Sequence, residues 1–148
     1  KTKFGITLTP LIDGMEIKVG DTIFTVPIST IKQSMKVTQE QILTDTNGNE
    51  MIMLRGTCYP IIRMREKFEM STGETDIEKG ILMLVESDGK SVCLFADRLI
   101  GEQQIVVKPF PQYVAQYDLK SRGLSGCSIM GDGTISLIVD VNNVIKKQ

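Results

Sequence analysis

The side chains able to do covalent chemistry are few, and the missing ones exclude the most. With no histidine in the chain, Ser–His and Cys–His nucleophilic schemes are ruled out, as is any histidine-ligated metal. The cysteines, Cys58, Cys93 and Cys127, each sit in an apolar strand context, where an inert buried thiol is expected. Their odd number and wide spacing argue against a disulfide framework and for a reducing cytoplasm. Gly89-Lys90-Ser91 resembles the end of a phosphate-binding loop, but Leu84 stands where that pattern needs its first glycine. Gly131-Asp132-Gly133 lacks the repeated Asp/Asn ligands of a Ca²⁺ loop. Asp13, Asp97, Asp118 and Asp140 form no acid/base pair and read as turn and cap residues. Arg55 and Arg63 are either anion or partner contacts or charges at strand ends facing solvent. The expectation is no catalytic residue, no cofactor and no metal.

What must position any function is a string of short strands. Gly123 to Val141 is the clearest: Ile135, Leu137, Val139 and Val141 recur every second residue, and Asp132-Gly133 predicts a two-residue hairpin turn with φ > 0 at both positions. Earlier come strands over Met15–Val19 and Thr22–Ile28, the latter ending at Pro27, then a helical turn from Ser29 to Ser34. Met51–Arg55 and Tyr59–Met64 predict a second hairpin. Residues 65–79 predict a short amphipathic turn around Phe68 and a solvated linker. Ile81–Val85 is apolar on both faces, which predicts a strand buried on both sides, and Ser91–Phe95 returns from it. A helical turn from Ala96 to Ile100, a strand from Gln104 to Lys108 and a polar loop from Gln112 to Arg122 follow. The end, Asn142–Gln148, predicts a short helix capped at Asn142.

The order of elements repeats. Gly14–Val37 answers Gly80–Val107, and Met51–Met64 answers Cys127–Val141. Five short strands in each half suit a small closed barrel. The predicted fold is therefore all-β: two five-stranded barrels, with segments able to exchange between them, and a short C-terminal helix. Residues 14–79 form the first lobe and residues 80–148 the second. A chain of 148 residues with a net charge of −1 suggests neither nucleic acid nor an anionic membrane as partner. No apolar run reaches the ~18 residues of a membrane span, and the first residues do not form a signal peptide. What is left is surface. Ile31, Met35 and Val37 lie among Lys32, Gln33, Ser34 and Lys36; they are either core or the apolar centre of an interface with a polar rim.

Several short stretches, in their order and spacing, resemble a known family. They are Gly14-Met15, Phe24, Val26-Pro27-Ile28, Leu54-Arg55-Gly56, Tyr59-Pro60-Ile61, Arg98-Leu99-Ile100-Gly101, Val106-Val107-Lys108 and Ile129-Met130-Gly131-Asp132-Gly133. The chain from Gly14 onward resembles a CheW-like regulatory domain, and more narrowly the C-terminal module of a CheA-type chemotaxis histidine kinase. Phe4 to Pro10 looks like the last strand of an ATP-binding domain, so residues 1–13 are assigned to that domain's end and a linker. The family fold, two five-stranded SH3-like barrels, agrees with the reading above.

The resemblance implies function by contact. Such a module docks the kinase to a CheW-type coupling adaptor and to the cytoplasmic tips of chemoreceptors, in the cytoplasm beside membrane receptor arrays, within a kinase that is a dimer. Phosphoryl transfer would belong to other parts of that kinase. Carried over by position, the adaptor contact falls near Met35 and Ile52, with Ile31 and Val37 added from their spacing. The free-standing adaptor shares the fold and is the alternative; a small β-barrel enzyme or ligand binder is the reading from a different class.

Overall fold

The computed structural model describes residues 11–110 and 122–146. Its strands are β1 (Leu11–Val19), β2 (Thr22–Pro27), β3 (Ile31–Met35), β4 (Ile42–Thr44), β5 (Glu50–Leu54), β6 (Thr57–Arg63), β7 (Ile81–Ser87), β8 (Lys90–Ala96), β9 (Arg98–Val106), β10 (Leu124–Ile129) and β11 (Ile135–Val139). The helices are α1 (Met64–Lys67) and α2 (Val141–Lys146). The expected all-β architecture is what the chain adopts. The strand expected at Phe4–Pro10 and the loop expected over residues 112–121 lie outside the described residues.

The strands form two sheets, one of five strands in the order β10-β11-β2-β1-β9 and one of six in the order β3-β7-β8-β6-β5-β4. The first sheet has the five strands expected, whereas the second carries an extra short edge strand, β4. Two residues past β9, Lys108 pairs with Cys127 of β10 through backbone bonds of 2.8 and 2.9 Å, joining the two edges of the first sheet.

Neither sheet follows the division at residues 79/80. The β1–β2 hairpin pairs with β9 and β11, and the β7–β8 hairpin pairs with β3 and β6. The exchange is reciprocal. Read from β5, the second sheet runs β5-β6-β8-β7-β3, which matches β10-β11-β2-β1-β9 strand for strand. Each contains one parallel pair at the same place, β6 with β8 and β11 with β2. The repeated element order in the sequence is thus expressed as a repeated strand order, with the leading hairpins traded.

β7 and β8 form the wall between two cores. Met83, Val85, Val92, Leu94 and Ala96 face a core shared with Ile17, Val19, Phe24, Val26, Val139, Val144 and Ile145. Leu82, Leu84, Cys93 and Phe95 face the second sheet's own core, with Val37, Ile42, Ile52 and Ile77. Such a strand pair has no polar face to spare, which is why Ile81–Val85 is continuously apolar. Phe68, just past α1, stacks on Phe24 at 5.1 Å between ring centroids and anchors the connector to the shared core.

Four local expectations are corrected. Residues 31–35 are strand after a 3₁₀ turn at Ile28–Thr30, and residues 98–100, expected to end a helical turn, already belong to strand β9. Both are edge segments whose pairing with β7 and β1 outweighs a polar composition. At Asp132-Gly133 only Gly133 has positive φ. The Gly133 N–H donates to the Met130 carbonyl at 2.9 Å and the Met130 N–H to the Thr134 carbonyl at 2.7 Å, a longer loop than a two-residue turn. The cap of α2 is Asp140, whose carboxylate accepts from the Asn143 N–H at 3.2 Å, not Asn142.

Candidate docking surface

Alternation along β5 decides which side chains reach solvent. Ile52 is 0 % exposed and belongs to the second sheet's core, while Met53, one position on, is 52 % exposed. Register carries this across the sheet. Ile42, Ile52 and Tyr59 form one inward row, and Leu43, Met51 and Pro60 the outward row beside it, followed by Met53 opposite Cys58. Leu43 is 44 % exposed, and the Cys58 thiol lies 3.7 Å from the Met51 sulfur. The outward face of β4–β6 is therefore apolar and rich in sulfur, the adaptable composition that suits a protein contact.

Two polar devices frame this face. The Asp45 carboxylate accepts from the N–H groups of Asn47 at 2.8 Å and Asn49 at 2.9 Å, fixing the β4–β5 turn. These bonds, the Asn49 backbone first, hold the Asp45 carboxyl below the ordinary carboxylate range. On β6, Arg63 grips Glu50 with two bonds of 2.6 and 3.0 Å, donates to the Thr75 carbonyl at 2.7 Å and lies over the Phe95 ring at 5.2 Å. The Glu50 bond pushes the Arg63 guanidinium pKa up. Arg63 is thus a paired structural cation, while Arg55 occupies the β5–β6 turn with φ of 51°. Asp97 and Asp140 are turn and cap residues, as the sequence suggested.

The structure does not gather the four residues named from sequence. Ile52 and Val37 are buried core, which corrects their assignment to an outward contact. Ile31 and Met35 are half-buried on β3, but a bulge between Ile31 and Gln33 turns them to opposite faces; Ile31 packs on the shared core and Met35 on the second sheet's core. The residues missed are Leu43, Met51, Met53, Cys58 and Pro60. Two methionines flanking an isoleucine in β5 are the trace they leave in the sequence. The equivalent hairpin of the first sheet carries a second exposed apolar pair, Ile129 and Ile135, directly opposite each other and 57 % and 50 % exposed.

The cysteines divide. Cys93 is buried, and desolvation raises its pKa to about 11; Cys127 is buried and raised by the same cause. Cys58 is exposed, against the expectation of three buried thiols. A disulfide-exchange reagent is accordingly expected to label one thiol per native chain quickly and the other two only after denaturation. Rapid labelling of all three would refute this placement.

A family model described as CheW-like domain matches residues 13–148. The chemotaxis protein CheA of Klebsiella aerogenes is 31 % identical over 132 residues, which make up 89 % of this chain and 20 % of that protein. CheA of Treponema pallidum is 31 % identical over 145 residues, 97 % of this chain and 17 % of that protein. The chain spans about a fifth of the length of the curated relatives it matches. The crystal structure of the scaffolding protein TtCheW from Thermoanaerobacter tengcongensis superposes with a TM-score of 0.72 at 16 % identity, covering 88 % of this chain and 89 % of that one, which shows a shared fold. Among the described residues no helix is long and apolar enough to cross a membrane.

Proposed function

The chain belongs to the CheW-like domain family, a chemotaxis coupling module; on that premise we propose that it is the regulatory interaction module of a CheA-type histidine kinase, bound to the coupling adaptor and the receptor tips. The observation that carries the kinase assignment is the alignment of nearly the whole chain with one segment of CheA proteins from distant bacteria. In this reading the module performs no phosphoryl transfer. It sits in the cytoplasm under the receptor array, as part of a dimeric kinase whose ATP-binding and phosphoacceptor parts lie elsewhere. It takes no cofactor or metal, and nucleic acid and the lipid bilayer are not among its partners. A free-standing scaffold is the second reading, favoured by the near-complete overlap with TtCheW.

The outward face of β4–β6 is the docking surface in this proposal, with Leu43, Met51 and Met53 as its apolar centre. Of the residues named from sequence, Met35 and Ile31, half-exposed on an edge strand, are the two that a partner can still reach. Charging the centre would bury an unpaired carboxylate on association. Met53→Glu and Leu43→Glu are therefore expected to weaken binding of a CheW-type adaptor by about 2 kcal/mol or more, roughly thirtyfold, with unchanged thermal melts because both side chains already face solvent. Calorimetric titration of the folded variants is the test; wild-type affinity in both would exclude this face.

A further inference from the structure

Where the chain passes from the second sheet back to the first, a single residue, Asp97, lies between β8 and β9. Its carboxylate accepts from the Gly20 N–H at 2.9 Å, in the β1–β2 turn, and from the Glu74 N–H at 2.8 Å, in the connector after α1. Its own N–H donates to the Lys18 carbonyl at 2.9 Å. The connector is pressed onto that turn: a Cβ on Gly20 would meet the Thr72 hydroxyl, and one on Gly73 would stand 3.3 Å from Val19. The residue after Glu74, Thr75, offers its carbonyl to Arg63, which in turn holds Glu50 next to Met51. Polar contacts, joined by the main chain between Glu74 and Thr75, thus run from β5 through Arg63 and Thr75, and from Glu74 through Asp97 to Gly20, from one sheet to the other.

We propose that this chain of contacts is a relay, through which a change at the β5 end of the second sheet alters the β1–β2 turn of the first, with Asp97 as its positioning residue. Its elements are suited to the task. The Arg63–Glu50 pair is shielded and bidentate, so it holds geometry rather than merely charge. Both oxygens of Asp97 are engaged by main-chain groups of two different segments, so the two cannot shift independently. The relay's signalling meaning rests on the docking reading above, because β5 carries the proposed contact face; its existence does not.

Adjacency alone does not establish coupling, so the test is a double-mutant cycle read at the far end. Amide hydrogen exchange is measured at Gly20 in the wild type, Glu50→Ala, Asp97→Asn and the double variant. Glu50→Ala is expected to speed Gly20 exchange at least about fivefold, the lower end of ordinary site-to-site coupling. It should leave the core amides of Ile17 and Leu94 at their global rates. In the Asp97→Asn background the same change should have no further effect on Gly20. Arg63→Lys, which keeps the charge but loses the fork that spans Glu50 and Thr75, repeats the test if Glu50→Ala lowers global stability. No response at Gly20, or an equal response with Asp97 replaced, overturns the relay. Adaptor titration forms a separate arm. If the adaptor does not bind while the Glu50 effect persists, the docking reading falls and the relay stands; if it binds and Gly20 ignores both adaptor and mutation, the relay falls.

Discussion

Ile52→Asp is expected to unfold the protein. The side chain is 0 % exposed in a core it shares with Val37, Ile42, Ile77, Leu82, Leu84, Cys93 and Phe95, a set that offers a carboxylate no cation and no donor stronger than a thiol. The substitution forfeits the burial of a large aliphatic group and leaves a charged or unpaired polar group in its place, a loss of about 4 kcal/mol or more. That is comparable to the whole stability of many domains, about 5–15 kcal/mol. Ile52→Val, which removes one methylene, should cost only about 1 kcal/mol. Urea melts followed by circular dichroism distinguish the two, and Met53→Asp, one residue along, serves as control with an unchanged midpoint. An Ile52→Asp variant as stable as wild type would mean that β5 is paired one residue out of register.

The second large effect concerns the whole topology. Severed between Lys79 and Gly80, the two halves are expected to be unfolded apart and to fold when mixed. Residues up to 79 would keep β6 without its parallel partner β8, and β3 without β7. They would also hold a β1–β2 hairpin with neither β9 nor β11 beside it. The shared core loses one wall in either half, since Ile17, Phe24 and Val26 come from one and Leu94, Val139 and Val144 from the other. A buried polar knot also spans the cut: Glu16 accepts from Thr25 at 2.6 Å and from Ser136 at 3.0 Å. Nuclear magnetic resonance spectra of each half alone should show collapsed amide dispersion, restored in the equimolar mixture. Native dispersion from either half by itself would contradict the exchanged arrangement.

The sequence exposed β7 and β8 as continuous apolar runs, and β11 by apolar residues recurring with period two. It hid β3 and most of β9, because edge strands such as Arg98 to Gln104 present polar residues outward and are made strands by their neighbours. It hid the outward apolar face of β4–β6 for a different reason. Met51, Ile52, Met53 and Leu54 are all apolar, so neither parity is marked as inward, and only pairing with β4 and β6 selects Ile52. Cys58, opposite Met53, is turned outward by the same register. The repeat was legible as element order; that its leading hairpins trade places was not, since exchange changes which strands meet and leaves their order along the chain intact.

Those traded hairpins have a consequence for how the protein is made. Within this domain β1 and β2 leave the ribosome before the other strands, yet the second neighbour of β2, on the side away from β1, is β11; Thr25 and Ser136, which touch across the finished pair, are 111 positions apart. Until β11 has emerged, the edge of β2 is unpaired and Phe24 and Val26 lack the part of the shared core that Val139, Val144 and Ile145 supply. Loops of that length close late and leave strand edges exposed while they wait. While this domain is being synthesised, its aggregation-prone interval thus lasts until the last strands are available, and slower translation across the domain is expected to lengthen it.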